Sequence, residues 1–416
     1  MTIEYSKDIE DPPEYIDLNF IKDFTENALR QTDLKILKAH IKMGSAVGDN
    51  FCSRVYRAKI QYELPNSPKH NELSVFVKCM PPIVGVSFLN ELQFFAKEKI
   101  TFEEILPKLS LFLEQDERFS GRIYHSLKRP VNCLAFEDLN VSGFQMASRE
   151  SGLDEKHARL VMKRIGQFHA ISMHLARKDP FIPKFYEFGF LSRHAIKPGS
   201  FLYGYIEGTA KALYKLISRW PEYSKIAEKV RRYNENLHEN LVQAQALRSD
   251  DHFWVLNHGD LWVNNLLFRY ADNNQVTDCA FIDFQMTYWG SPGVDLNYFL
   301  YTSIQFDVLK NKREELLKVY YSNLLAKLEE LNYKPLPSFQ QLLDEVRRRA
   351  SYGFMAHYAI HPMIIQDKST AGDSSLDNLA DKDFAEKKND QIFSSKQLEV
   401  TLRYTLKEFE KMGVWN

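Results

Sequence analysis

The sequence predicts an α+β protein of two lobes, with a small antiparallel β-sheet lobe over residues 1–137 and a larger, mainly helical lobe over residues 138–416. Short apolar runs rich in β-branched and aromatic residues predict the strands, and longer segments with helical periodicity predict the helices. Within the helical part, residues 255–295 have the pattern of a hairpin whose strands end in clusters of polar residues. The chain has 416 residues, of which 44% are hydrophobic, so it is long enough for two lobes.

The first lobe is predicted to contain five strands and one main helix. A polar arm over residues 1–16 and a helix over 17–30 precede them. The strands are predicted at 36–43, 53–62, 73–79, 122–127 and 131–136, with a turn at 65–72 and the main helix at 87–99.

The second lobe is predicted to be built from amphipathic helices. The clearest covers residues 154–177, where apolar residues recur every three or four positions. His169 and His174 lie on or near this apolar stripe and are interpreted as packed core histidines. Residues 180–252 are mostly helical, and later helices are predicted at 308–331, 338–365 and 392–412, with a polar loop at 366–383.

Charge and cysteine content limit the class of protein. Lys plus Arg total 54 and Asp plus Glu total 55, whereas nucleic-acid binders usually carry a basic excess. The four cysteines include no C-x-x-C pair, which predicts free thiols in a reducing compartment. The acidic N-terminus has no apolar signal segment, and no apolar run reaches the length of a membrane span. We therefore expect a cytoplasmic protein with no obligate protein partner evident.

The hairpin carries His258, Asp260 and Asn265 in the order H-x-D-x-x-x-x-N, and Asp283 follows eighteen residues after Asn265. Phosphoryl transfer needs one carboxylate near the attacking hydroxyl, and a carboxylate and an amide to hold Mg²⁺ on the phosphates. We predict that Asp260 orients the hydroxyl or accepts its proton, and that Asn265 and Asp283 bind the metal. His258 is a catalytic-loop residue predicted to brace the loop. The alternative is a buried polar hairpin with ordinary turn residues, which the complete spacing disfavours.

The tip between the first two predicted strands, GSAVGDNFCS, resembles a phosphate-binding loop. Glycines allow backbone N–H groups to approach phosphate oxygens closely. Taken alone, such glycines indicate only a turn. The candidate residues at this tip are Gly44, Ser45, Gly48, Asp49 and Asn50.

Lys78 ends the apolar run 75–77, where an unpaired charge is costly. In kinases such a lysine meets the α- and β-phosphates and pairs with a helix glutamate. Glu91, in the helix predicted at 87–99, is the expected partner. Each could be an ordinary surface residue by itself, but their order in front of the hairpin favours a nucleotide site.

The stretches LNHGDLWVNNLLF and FIDFQMTYWGSPGVDLNYFLYTS resemble the aminoglycoside phosphotransferase and choline kinase group, and more narrowly the ecdysteroid kinase-like, or CHK-kinase-like, family. The resemblance implies a bilobal protein-kinase-like fold, with ATP and Mg²⁺ as cofactors. It implies that Glu137 and Leu139, in the segment FEDLN, meet the adenine edge through main-chain atoms. It also implies that Asp295 braces the loop carrying Asp260.

The phosphoryl acceptor is predicted to be a small molecule rather than a protein. The loop has Gly259 where protein kinases have arginine, only eleven residues separate Asp283 from Asp295, and no A-P-E tripeptide follows. The family resemblance names ecdysteroids, so a steroid-like hydroxyl acceptor is expected. Two alternatives stay open: a catalytically silent protein that binds hydrophobic ligands, and a kinase for another small hydroxylated metabolite or xenobiotic.

Overall fold

The architecture follows the two predicted lobes. The computed structural model describes residues 2–9, 13–44, 53–65, 67–80, 92–128, 131–366 and 382–415. Over these residues a β-sheet lobe precedes a mainly helical lobe, which confirms the α+β class and the bilobal kinase-like fold.

A six-stranded sheet organises the first lobe. Its strands are β1 (Thr2–Tyr5), β2 (Lys35–Met43), β3 (Arg54–Leu64), β4 (Ser67–Met80), β5 (Ile123–Leu127) and β6 (Asn132–Glu137). Their spatial order is β1-β2-β3-β4-β6-β5. β1 runs parallel to β2, and the other neighbouring pairs are antiparallel. Helix α1 (Leu18–Leu29) begins at the cap residue Asp17, whose carboxylate accepts the Phe20 N–H over 2.8 Å.

Two parts of this sheet differ from the sequence prediction. The arm predicted over residues 1–16 contains β1, because Ile3 and Tyr5 alternate with polar residues and pack against the core of the lobe. β4 begins within the predicted turn at 65–72, because these polar residues continue the ladder with β3 as the end of a long hairpin. The polar ends of a strand lack the alternation of apolar and polar residues that predicts a strand, so the sequence does not indicate them.

The main helix of the first lobe is placed later than the prediction at 87–99. It is described as α2 (Phe94–Ile100), which continues through a π-type turn at Thr101–Ile105 into α3 (Leu106–Ser110). Gln93 has φ 55°, a left-handed conformation, so the helix begins only after it.

Helices dominate the second lobe. They are α4 (Glu155–Ala176), α5 (Phe181–Phe185), α6 (Phe201–Ile217), α7 (Ser224–Glu235), α8 (Leu237–Gln245), α9 (Gly293–Thr302), α10 (Phe306–Glu330), α11 (Phe339–Arg348), α12 (Ala350–Met355), α13 (His361–Ile364), α14 (Lys382–Ile392) and α15 (Lys396–Met412). α4 and α10 confirm the helices predicted at 154–177 and 308–331 and pack along each other. The single helix predicted at 338–365 is divided, because Arg349 leaves the helical conformation and a π-type turn follows α12. α14 was not predicted.

The predicted hairpin is confirmed, and it positions the polar residues. Its strands are β8 (Val255–Asn257), β9 (Leu266–Tyr270), β10 (Val276–Phe281) and β11 (Tyr288–Gly290). β9 pairs with β10 and with β7 (Phe144–Met146), and β8 pairs with β11. The loops that follow β8 and β10 therefore lie side by side.

Of the two histidines interpreted as core residues, His169 is fully buried, which confirms the interpretation. His174 is only half-buried, and its ring packs 5.3 Å from the ring of Phe112 at the edge of the core. Among the cysteines, Cys79, Cys133 and Cys279 are buried and free, and Cys52 lies outside the described residues. In the described part of the chain, no helix is long and apolar enough to cross a membrane.

Gly166 lies where α4 packs on α10. A Cβ at this position would lie 2.6 Å from the Tyr320 carbonyl oxygen, a backbone atom that cannot rotate away. We expect Gly166→Ala to lower the free energy of unfolding by about 1–3 kcal/mol, because the added carbon forces the two helices apart. Gly204→Ala in α6 is the matched control, since nothing lies within 4 Å of its added carbon. It should be neutral or stabilising by up to about 1 kcal/mol. Urea denaturation measures both variants, and equal midpoints would contradict the expectation.

Candidate active site

A cavity of about 380 Å³ lies between the two lobes. Val55 and Phe76 line it from the sheet, and Leu267 and Ile282 line it from the hairpin. Its charged and amide lining includes Lys78, Glu98, Asn265 and Asp283. The cavity thus joins apolar walls to a group of ionisable side chains.

Lys78 connects three elements of the structure. Its Nζ lies 2.8 and 2.9 Å from the two carboxylate oxygens of Glu98, and 2.8 Å from Asp283 Oδ1. Burial alone would lower the pKa of Lys78, but the charges of Asp283 and Glu98 outweigh burial and raise that pKa. Lys78 is therefore a fixed cation on β4 that joins α2 to Asp283, two residues after the end of β10.

The helix partner of Lys78 is Glu98, which corrects the prediction of Glu91. Glu91 lies outside the described residues, and α2 begins after the left-handed Gln93. Glu98 is buried on the same face as Phe94 and four residues away from it. A glutamate on the apolar face of a helix was the signal that could have identified it, because a buried carboxylate needs a partner. Burial raises the pKa of Glu98 to about 7, and the Lys78 charge opposes this rise.

Of the predicted phosphate loop, the structure describes Gly44. It lines the cavity, and its N–H donates to the Val55 carbonyl oxygen over 2.8 Å. A Cβ on Gly44 would lie 3.0 Å from the Phe76 ring, so a larger residue would press on this wall. Ser45, Gly48, Asp49 and Asn50 lie outside the described residues.

Asp295, in the first turn of α9, holds the loop that follows β8. Its carboxylate accepts the backbone N–H groups of His258 over 2.7 Å and of Gly259 over 2.9 Å. It also lies 3.1 Å from His169 Nε2. Gly259 has φ 85°, and a Cβ there would lie 2.0 Å from the Met286 carbonyl oxygen, so this tight turn requires glycine. The prediction that Asp295 braces the loop is confirmed.

The contacts of His258 agree with a bracing role. The Asp260 N–H donates to His258 Nδ1 over 3.3 Å, and His258 Nε2 lies 2.9 Å from the Ile282 carbonyl oxygen. These two contacts place the proton on Nε2. Burial lowers the pKa of His258, which keeps the ring neutral. Both ring nitrogens are thus occupied in joining the loop to the end of β10.

Asp260 is held by neutral hydrogen-bond donors. Asn265 Nδ2 donates to Asp260 Oδ2 and to its carbonyl oxygen, both over 2.9 Å. The Tyr298 hydroxyl donates to Oδ1 over 2.8 Å. Burial and the charge of Asp283 raise the pKa of Asp260 to about 7, while hydrogen bonds from Tyr298, Asn265 and Trp262 oppose this rise. Sequence reasoning missed the contact of Tyr298 with this carboxylate.

Asn265 and Asp283 are suited to hold a metal ion. The Ile282 N–H donates to the Asn265 carbonyl oxygen over 3.0 Å, which ties the residue before Asp283 to the loop. Asn265 uses its amide nitrogen on Asp260, so its amide oxygen is the end suited to a metal. Carboxylate and amide oxygens are the ligands that Mg²⁺ prefers. No three His, Cys, Asp or Glu side chains of the described residues form a metal-binding group. The residues therefore fit a Mg²⁺ ion that takes its other ligands from phosphate and water.

Glu137 and Leu139, predicted to meet the adenine edge, both line the cavity. The Glu137 N–H donates to the Arg122 carbonyl oxygen over 2.8 Å, so only the carbonyl of Glu137 remains for that role. The Leu139 carbonyl accepts the N–H groups of Ser142 and Phe144, each over 3.1 Å. The Leu139 N–H is therefore the main-chain donor that we propose for a base.

A lysine–glutamate pair in a sheet lobe, facing a carboxylate at the end of a hairpin strand, is the arrangement of kinase-like phosphotransferases. The fold and the site therefore define a kinase-like phosphotransferase.

The chain belongs to the ecdysteroid kinase-like family, whose model matches residues 47–333. No curated protein sequence matches the chain. Among solved structures, it is similar to a glucosamine kinase in complex with glucosamine, ADP and inorganic phosphate. That match has 12% identity and a TM-score of 0.31 over 86% of this chain and 81% of the other, which supports no functional conclusion.

We expect Glu98→Gln to weaken Mg-ATP binding and turnover by about 10- to 100-fold. The reason is that Lys78 loses a charged hydrogen-bond partner, a contact of about 1.5–3 kcal/mol. Lys78→Met should weaken Mg-ATP binding and turnover by at least the same factor. Glu103→Gln is the matched control, because Glu103 contacts Lys99 and Ser126 outside the cavity. Calorimetric titration with a non-hydrolysable ATP analogue measures binding. Unchanged affinity in both Lys78→Met and Glu98→Gln would show that the pair is only structural.

Proposed function

We propose that this protein transfers the γ-phosphoryl group of ATP to a hydroxyl of a small molecule, with Mg²⁺ as cofactor. The observation that carries the proposal is the convergence of Lys78, Asn265 and Asp283 on one cavity, with Asp260 hydrogen-bonded to Asn265. Family membership supports the same class of reaction. In this proposal residues 1–137 bind the nucleotide, and residues 138–416 supply the catalytic loop and the acceptor site.

The cavity walls support nucleotide binding. Phe76 from the sheet and Leu267 from the hairpin offer apolar surface to a planar base. Lys78 would bind phosphate oxygens, because it is a buried ammonium whose present partners are carboxylates. Mg²⁺, when bound, would neutralise charge on the phosphates. Asn265 and Asp283 would hold the ion, and the Leu139 N–H would fix the base.

Asp260 would act on the acceptor. A hydroxyl proton can pass to its carboxylate as the hydroxyl oxygen attacks phosphorus, which breaks the bond to ADP. A pKa near 7 suits a group that must accept a proton at neutral pH. Tyr298 and Asn265 are neutral donors, and no cationic side chain of the described residues pairs with Asp260.

We propose a steroid-like acceptor, with ecdysteroids as the first class to test. The family name supports this choice. Trp262 is half-buried beside Asp260, whose carbonyl oxygen accepts the Trp262 backbone N–H over 3.0 Å, and its ring offers aromatic surface to an apolar ring system. A different hydroxylated metabolite or xenobiotic, and a silent protein that binds hydrophobic ligands, are the competing outcomes. The paired Lys78 favours the enzyme. We also propose a cytoplasmic location, which the free buried thiols support.

The direct test is ATP consumption with a panel of hydroxylated compounds. The panel should contain ecdysteroids, other sterols, plant phenolics and sugars, with each product identified by mass spectrometry. Phosphorylation of an ecdysteroid supports the proposal in full, and phosphorylation of another compound alone corrects the acceptor. Binding of ecdysteroid without ATP consumption by any compound would establish the silent binder.

Asp283→Asn should abolish turnover and leave the fold intact. The variant loses one anionic metal ligand, so Mg²⁺ should bind the nucleotide site more weakly. Asp278→Asn is the matched control, because Asp278 lies on β10, the strand that precedes Asp283, but pairs with Arg269. Initial rates across a Mg²⁺ titration measure the effect. Near wild-type rates of Asp283→Asn at limiting Mg²⁺ would remove Asp283 from the metal site.

Asp260→Asn should still bind Mg-ATP but lose acceptor phosphorylation by about 10²–10⁴-fold, the usual contribution of a general base. The affinity for Mg-ATP should stay unchanged, because the proposed metal ligands Asn265 and Asp283 are still present. Calorimetry measures that affinity, and single-turnover transfer to the acceptor found by the panel measures the chemistry. Lost ATP binding would move Asp260 into the metal site, and full transfer would exclude it from catalysis.

A further inference from the structure

Asp260 has fewer free hydrogen-bonding positions than an exposed carboxylate. An ionised carboxylate accepts about four hydrogen bonds. Asn265 Nδ2 occupies one position on Oδ2, and the Tyr298 hydroxyl occupies one on Oδ1. About two positions therefore remain, and the acceptor hydroxyl would take one of them.

Tyr298 is a buried residue close to the site. It lies on α9, and every residue of that helix is buried. Three residues earlier on the same helix, Asp295 holds the backbone N–H groups of the loop. Residues three apart share one face of a helix. One buried helix therefore fixes both the backbone of the loop, through Asp295, and the side chain of Asp260, through Tyr298.

We propose that Tyr298 is a positioning residue for phosphoryl transfer, which directs a free lone pair of Asp260 at the acceptor hydroxyl. This inference rests on the proposed kinase function. Tyr298 would not bind the nucleotide, since its hydroxyl contacts Asp260 Oδ1 and it is absent from the lining of the cavity. It would act on the chemical step through Asp260. The hydroxyl of Tyr298, rather than its ring, would thus be the group that matters for transfer.

Tyr298→Phe keeps the ring and removes the donor. We expect kcat to fall by about 10- to 100-fold, because a misdirected catalytic group costs about that much. The KM for the acceptor and the Kd for Mg-ATP should change by less than about threefold, since an equal loss in kcat and kcat/KM marks an interaction made in the transition state. Ecdysone is the probe acceptor, or the compound that the panel identifies.

Tyr352→Phe is the matched control. Tyr352 is fully buried, its ring lies 6.1 Å from that of Tyr298, and its hydroxyl has no hydrogen-bond partner among the described residues. The same removal of a buried hydroxyl should leave kcat unchanged. Urea denaturation of both variants separates loss of folded protein from loss of catalysis.

A double-mutant cycle separates positioning from a structural role. If Tyr298 acts through Asp260, Tyr298→Phe should cause no further loss in the Asp260→Asn background. Additive losses, a wild-type kcat in Tyr298→Phe, or a rise in KM alone would overturn the inference while the kinase function stands. A wild-type protein that phosphorylates no compound would instead overturn the proposed function, and the inference with it.

Discussion

The buried ammonium of Lys78 is the constraint on which the site depends. It contacts two carboxylates, one on the helix of the first lobe and one at the end of a hairpin strand in the second. Removing one partner of a buried ion pair typically costs about 3–5 kcal/mol, because it leaves a charge without compensation. Lys78 therefore links the two lobes, which also meet at other contacts, such as the hydrogen bond between the hydroxyls of Thr101 and Tyr186. Phosphate oxygens entering the cavity would offer Lys78 new anionic partners and leave Asp283 for a metal.

A second buried charge organises the other half of the site. Asp295 is fully buried and is satisfied by two backbone N–H groups and by His169. These contacts offset the cost of burying a carboxylate, and they determine the path of the loop through Gly259. The left-handed conformation of that glycine turns the chain, so the side chains of His258 and Asp260 on either side of it reach different partners. His258 then binds the end of β10, and Asp260 meets Tyr298.

The features that the sequence predicted best are those that depend on residues close together in the chain. The hairpin and its H-x-D-x-x-x-x-N pattern are local, so the strands and their polar ends could be recognised. Glu98 lies inside the helix predicted at 87–99 but was missed, because only the packing of α2 shows which face of the helix meets Lys78. β1 was missed because four residues are too few for an alternation signal. Tyr298 was missed because its contact with Asp260 exists only once α9 packs against the loop.

Asp260 and Asp283 show how one site can give two carboxylates different tasks. Asp283 forms a salt bridge with Lys78, and carboxylate oxygens are also the ligands that Mg²⁺ prefers. The side-chain donors to Asp260 among the described residues are neutral, and burial together with the charge of Asp283 raises its pKa to about 7. A carboxylate in that environment can both accept a proton and release it near neutral pH. The asymmetry follows from position, because Asp283, two residues after β10, contacts Lys78, whereas the Asp260 carboxylate contacts Asn265 and Tyr298. The environment of each carboxylate, rather than the residue type, therefore supports the assignment of one to the metal and the other to the acceptor hydroxyl.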